Sequence, residues 1–238
     1  MNLGELRTRF YDFLQASLTK GPWTQAIVDS YVHDGHMRLF HRIAHKAEGF
    51  FRTTDVVNET AGQSTYNLPL NCYRVDAIER IAGGASTPYF LQRISYQPDT
   101  IDVMRSRPSG IGSTYPAPEA YYPNGQKSFT LTRASAVTVT AAFLVTYSYV
   151  PAKMTAITDV PFQKTAGIGG IGTDDLASFH DIIAWYAIDT AAMQSEESLV
   201  PLVMQRLRER EQELDVFLRN VNTQEPRFVS VTDNAWNY

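Results

Sequence analysis

The fold turns on the stretch Asp174-Asp175-Leu176-Ala177-Ser178-Phe179-His180-Asp181-Ile182-Ile183-Ala184-Trp185-Tyr186-Ala187, which opens a helical hairpin running to about Asn220. Ser178 with Asp181 three residues on has the spacing of a capping box, and Asp174 or Asp175 also suits an N-cap. Phe179, Ile183, Tyr186, Ala187, Thr190 and Ala191 then fall on one helical face, and Ile182, Trp185 and Ile188 on a second. A helix apolar on two sides belongs between neighbours. After a break at Ser195–Pro201, a second helix carries one stripe, Leu199, Val203, Leu207, Leu214, Leu218 and Val221. Its other side carries Arg206, Arg208, Glu209, Arg210, Glu211 and Glu213. Burying about ten such apolar side chains, at roughly 1.5–3 kcal/mol each before entropy, makes the hairpin the centre of the core.

Outward from the hairpin, the other end of the chain is helical too. Leu3, Leu6, Phe10, Leu14 and Leu18 predict a helix that ends at Lys20-Gly21-Pro22, because glycine closes helices and proline cannot continue one. Thr24, after Trp23, is the N-cap of a second helix whose face is Val28, Val32, Gly35, Leu39, Ile43 and Phe50. Gly35 marks a close helix contact or a bend. Between about Phe51 and Val150 tyrosine, threonine and proline rise and the period falls to two. Strands are expected at Thr65–Leu68, Tyr73–Ile81, Thr87–Gln92, Ala120–Tyr122, Ser128–Arg133 and Val137–Tyr149, with a turn at Pro123-Asn124-Gly125-Gln126. A short helix is expected at Gln97–Met104 and an exposed loop at Ser106–Pro118. The segment 151–173, with Gly167-Ile168-Gly169-Gly170-Ile171-Gly172, reads as a linker, and 221–238 as a tail too apolar for water. The fold class is therefore α+β: a helical bundle formed by both chain ends (1–50 and 174–220), an inserted, mainly antiparallel β domain (51–150), the linker (151–173) and an extended C-terminal tail (221–238).

The bulk numbers narrow the function. The 238 residues carry a net charge of −4, which gives no bias towards nucleic acid or anionic membranes. A single cysteine, Cys72, rules out an intrachain disulfide and fits a reducing compartment. Arg7, Arg9 and Asp12 interrupt any leader-like run, and no apolar run approaches the roughly 18 residues of a membrane span. The expectation is a soluble chain with no membrane partner.

The sequence offers little catalytic chemistry. Gly167–Gly172 matches G-x-G-x-x-G and Asp189 lies near the spacing of a ribose-binding acid, yet no strand leads in and Asp189 falls mid-helix. His41 and His45 are spaced i, i+4 beside His33 and His36, but lack a third ligand or a His-Glu-x-x-His pattern. His180 and Asp181 beside Ser178 hold adjacent helix positions, which do not face each other, so they form no relay by themselves. Cys72 reads as a small buried side chain. Tyr115, Tyr121, Tyr122, Tyr147 and Tyr149 suit either a sugar-stacking platform or cross-strand packing. No catalytic residue, metal site or cofactor is expected.

The distributed pattern resembles the head-to-tail adaptor (connector) proteins of tailed bacteriophages, of the type found in short-tailed phages. It is carried by Trp23-Thr24, by Tyr66-Asn67-Leu68-Pro69-Leu70-Asn71 followed by Arg74-Val75, by Tyr147-Ser148-Tyr149-Val150-Pro151, and by Phe179-His180-Asp181-Ile182-Ile183-Ala184-Trp185-Tyr186-Ala187. The resemblance implies a non-enzymatic virion protein at the head–tail junction, made in the host cytoplasm. It implies a ring, typically of twelve subunits, beneath a portal protein, with a tail nozzle or tail-tube protein below and double-stranded DNA passing non-specifically through the channel during ejection. Mild acidity suits such passage, since affinity for DNA comes mainly from phosphate neutralisation. Arg227, Phe228, Val229, Val231, Trp236 and Tyr238 become candidates for a segment that docks on the portal. Arg206, Arg208, Glu209, Arg210 and Glu213 become candidates for the contact between subunits, together with the second helix. The other reading is a phage tail or baseplate component with a carbohydrate-binding β domain.

Overall fold

The computed structural model describes residues 1–14, 23–47, 49–81, 89–95, 120–165, 175–195 and 199–224. The protein is α+β, with four α-helices and two sheets among the described residues, and the chain divides into two compact units. The first comprises Met1–Glu48, Met154–Pro161 and the chain from Asp174; the second comprises Gly49–Lys153 and Phe162–Thr173. The segment expected to be a linker is thus shared, with 154–161 in the first unit.

In the first unit, α1 (Leu3–Phe13) begins with a capping box. The Asn2 side chain accepts from the Glu5 N–H at 2.9 Å, and the Glu5 carboxylate accepts from the Asn2 N–H at 3.0 Å. The Thr24 hydroxyl oxygen caps α2 (Gln25–Lys46) by accepting from the Ile27 N–H at 3.4 Å. A 3₁₀ turn (Ala177–Phe179) precedes α3 (Asp181–Ser195), and α4 (Val200–Gln224) follows. Helix α3 touches α1, α2 and α4. Ile182, Ile183, Ala184, Ala187, Ile188, Ala191 and Ala192 are all fully buried, so its two apolar faces are both used. Helix α2 turns Val28, Val32, Gly35, Leu39 and Ile43 inward. Helix α4 buries Val203, Leu207, Leu214 and Leu218. Ser178 lies inside the 3₁₀ turn and not at a cap position, because α3 itself starts only at Asp181.

The second unit holds β1 (Arg52–Glu59), β2 (Thr65–Asn67), β3 (Cys72–Arg80), β4 (Tyr89–Phe90), β5 (Gln92–Arg93), β6 (Ala120–Asn124), β7 (Ser128–Leu131) and β8 (Val139–Tyr149). One sheet has the order β1-β8-β3-β4 and the other β2-β7-β6-β5, antiparallel throughout except for the β5–β6 pair. Strand β8 is the spine of the first sheet, paired on both edges. The sheets meet where the Phe143 ring of β8 packs at 5.5 Å from Tyr66 and 6.0 Å from Phe129. Opposite β1 the ladder slips: Val57 pairs with Phe143 but Glu59 with Val139. Ala141, at φ 52°, forms the resulting bulge, and its N–H donates to Asn58 Oδ1 at 2.8 Å. Strand β1 is an addition to the expected set, and the short strands at 89–93 replace part of the single expected strand Thr87–Gln92. The expected helix Gln97–Met104 and loop Ser106–Pro118 lie outside the described residues, as do 15–22 with the expected stop at Lys20-Gly21-Pro22.

Candidate functional site

The residues singled out for chemistry are dispersed. His36 is buried in α2, and burial, reinforced by the nearby His33 and His180, lowers its pKa to about 3. His180 is buried as well, and desolvation, then the terminal amine with nitrogen 3.1 Å from Nδ1, lowers it to about 4. His41 and His45 are exposed on the outside of α2. Among the described residues no group of three His, Cys, Asp or Glu side chains converges as a metal site would require. Cys72 is buried, and desolvation followed by the Asp76 charge pushes its thiol up to about 11, away from thiolate chemistry. Asp189 sits in the middle of α3, where burial raises its carboxyl above the usual range against the opposing pull of Arg38 at 3.7 Å. Gly167–Gly172 lies outside the described residues.

The tyrosines go to packing. Tyr121, Tyr147 and Tyr149 are all but fully buried. The Tyr149 hydroxyl donates to the Phe162 carbonyl at 2.9 Å, and the Tyr147 hydroxyl to Asp55 at 3.2 Å. Tyr122 packs against Ile94 and Ala120. A sugar-stacking platform needs exposed ring faces, which Tyr121, Tyr147 and Tyr149 do not provide; Tyr115 lies outside the described residues. Two groups of ion pairs were not legible in the sequence. Glu59 and Arg80 meet at 2.7 Å, both buried, from the ends of β1 and β3. Arg42 of α2 reaches Asp215 at 3.0 Å and Glu211 at 3.1 Å on α4. Burial alone would raise the Asp215 carboxyl, but Lys46 and Arg42 together hold it below the ordinary range. The only sequence signal for the second group was polar residues on helix flanks next to apolar stripes.

The outer face of α4 divides into two. Arg210 is taken up within the unit: its guanidinium donates to Asp181 at 2.7 and 3.0 Å and to the Ser178 carbonyl at 2.5 Å, and it also pairs with Glu213. Arg206, Arg208, Glu209 and Glu213 are exposed, with Arg206 and Glu209 paired at 3.2 Å. These exposed charges make a polar, solvated helix face. Arg227, Phe228, Val229, Val231, Trp236 and Tyr238 lie outside the described residues. No described helix is long and apolar enough to cross a membrane.

The chain matches a known protein family. The family model described as SU10 adaptor protein covers residues 1–232, nearly the whole chain. No curated protein matches it.

Proposed function

This chain belongs to the SU10 adaptor protein family of phage head-to-tail adaptors, and we propose that it is the ring-forming adaptor that joins the portal to the tail and lines the DNA exit channel. The family match over 1–232 is the observation that carries this reading. In it, the helical segments 1–50 and 174–220 form one bundle closed by both chain ends, with the β domain 51–150 inserted between them; of the expected linker 151–173, residues 154–161 go with the helical unit. Of the expected tail 221–238, residues 221–224 belong to α4, and the remainder docks on the portal through Arg227, Phe228, Val229, Val231, Trp236 and Tyr238. Copies meet through Arg206, Arg208, Glu209 and Glu213 on one side and the second helix on the other, since a ring needs two different faces per subunit, while Arg210 is engaged by Asp181 and the Ser178 carbonyl of its own chain. The number of copies is twelve, the lower face takes a nozzle or tail-tube protein, and DNA passes without sequence readout. Exposed Arg206, Arg208, Glu209 and Glu213 on α4 and a net charge of −4 support a surface that binds protein and lets DNA slide. The protein has a structural role and no catalytic one.

Sedimentation of the purified chain, alone and mixed with portal rings, tests the proposal. The expected result is a ring-sized species carrying portal. A chain that never associates with portal at any concentration refutes it. Removing Arg227–Tyr238 is expected to leave the thermal transition in place while weakening portal attachment. If the shortened chain unfolds instead, the tail belongs to the core and the docking assignment fails.

A further inference from the structure

Leu70 is fully exposed, at 107% the most exposed large apolar side chain among the described residues. It stands on the turn between β2 and β3, closed by the Cys72 N–H donating to the Pro69 carbonyl at 2.9 Å. Asn71 locks that turn from behind. Its carbonyl accepts from the Val150 N–H at 2.7 Å, its Nδ2 donates to the Lys164 carbonyl at 3.2 Å, and its Oδ1 accepts from the Tyr147 hydroxyl at 3.4 Å. These bonds fix the backbone that carries Leu70, so seating the turn against a partner costs little ordering of the chain around it. Leu68 next to it is buried, and its N–H donates to the carbonyl of Lys127, which is exposed and brings a positive charge to the edge of the turn.

A receiving surface of opposite character lies on the helical unit. The first turns of α1 and the strap 154–161 enclose an open groove of about 670 Å³. The strap is fixed: the N–H groups of Leu3 and Gly4 donate to the Asp159 and Ile157 carbonyls at 2.9 and 3.0 Å. The Asp159 carboxylate accepts from the Thr155 and Ala156 N–H groups at 2.7 and 2.8 Å. Gly4 lets the strap lie close, since a Cβ there would come within 2.6 Å of the Ile157 side chain. Ile157 gives the groove an exposed apolar wall, and Asp12 and Glu5 give it an acidic rim, Glu5 lying 3.8 Å from the terminal amine of its own chain. Arg9, also on the lining, is drawn towards Asp181 at 3.7 Å and the Trp185 ring at 5.8 Å.

We propose that the Leu70 turn of one copy seats in the α1–strap groove of the next copy, with Lys127 facing Glu5 and Asp12. This rests on the ring-forming reading, and it adds a contact separate from the α4 and α2 faces named there. The occupant is a second copy because one chain carries both halves, an apolar projection edged by lysine and an apolar groove edged by carboxylates. Two different patches that fit one another are what a heterologous, ring-closing interface requires.

Two single-cysteine variants test it, Leu70→Cys and Thr158→Cys, each in a Cys72→Ser background and each incubated under mild oxidation, separately and mixed. The expected result is a disulfide-linked dimer only in the mixture. In the otherwise unaltered chain, Leu70→Asp is expected to weaken self-association by about tenfold or more, as loss of an interface anchor does, with no change in the thermal midpoint. A Leu70→Cys chain that crosslinks to itself, or to portal and not to the Thr158→Cys chain, overturns the contact. So does an unlinked mixture, or an unaltered affinity for Leu70→Asp, when rings still form; either outcome leaves the adaptor reading standing. A chain that never self-associates, alone or with portal, overturns both.

Discussion

A Cβ at position 35 would lie 2.7 Å from the Ile183 carbonyl oxygen and 3.1 Å from the Tyr186 Cβ. Glycine there lets α2 and α3 approach, and the neighbour it would strike is backbone, which cannot swing aside. Gly35→Ala gains up to about 1 kcal/mol of helix propensity but costs about 1–3 kcal/mol in overpacking. A net loss near 1 kcal/mol is expected in urea unfolding, and a stabilised variant would show that the helices are not in contact there. In the β unit, removing one partner of the Glu59–Arg80 pair leaves a buried charge alone, so Arg80→Met is expected to cost about 3–5 kcal/mol. Replacing both, as Glu59→Leu with Arg80→Met, is expected to recover most of it. The two buried histidines set a pH dependence. His36 and His180 have folded pKa values near 3 and 4 against 6.5 unfolded, so between those values the unfolded chain holds more protons. Stability therefore falls as pH drops below 6.5, by about 1.4 kcal/mol per pH unit for each ring still neutral in the fold. Denaturation at pH 7 and 5.5 should show a steeper loss in the natural chain than in His36→Leu, and equal slopes would refute the assignment.

At the scale of elements, legibility followed pattern. The α3 helix announced itself because Ile182, Ile183, Ala187, Ile188 and Ala191 repeat at the helical period, and its enclosure followed from having two apolar faces. Strand β8 was legible because Phe143, Val145, Tyr147 and Tyr149 alternate and point inward. Its bulge was not, since Ala141 at positive φ is set by the slip against β1 and nothing in an alanine reports it. Strand β1 escaped because Thr53, Thr54, Asp55 and Asn58 put polar groups on both faces; it is an edge strand defined by pairing with β8 rather than by its own period. The start of α3 was misplaced because a tertiary partner, Arg210, binds Asp181 and the Ser178 carbonyl, which local capping rules do not anticipate. The same kind of partner links α2 to α4. A double-mutant cycle on Arg42→Ala and Asp215→Ala is expected to give a coupling of about 1 kcal/mol, because both groups are partly sheltered. The exposed Arg206–Glu209 pair should give about 0.5 kcal/mol or less, and both couplings should shrink in 1 M salt, where screening reaches about 3 Å. Equal couplings would mean that shelter confers nothing on the inner pair.

For the whole molecule, the division into two units sets what each part of the chain can do alone. Every described strand, together with the Phe143, Tyr66 and Phe129 cluster, lies in the unit formed by 49–153 and 162–173, so fragment 49–173 contains a complete sheet core. It is expected to show a cooperative thermal transition by circular dichroism. Fragment 174–238 holds the hairpin but lacks the other helices that cover α3. Without α1 and α2, Ile183, Ala187 and the other residues of α3 not covered by α4 face water, at roughly 25 cal/mol for each Å² of apolar surface uncovered. That loss exceeds what helix propensity returns, since isolated helices of this length are marginal in water. The hairpin fragment is therefore expected to be largely unfolded or aggregated alone and to gain helix when a peptide of residues 1–48 is added, titrating to one equivalent. The asymmetry is the discriminating result: a hairpin that melts cooperatively as a lone monomer would mean that α3 draws its stability from α4, and that the N-terminal helices are an appendage rather than half of the core.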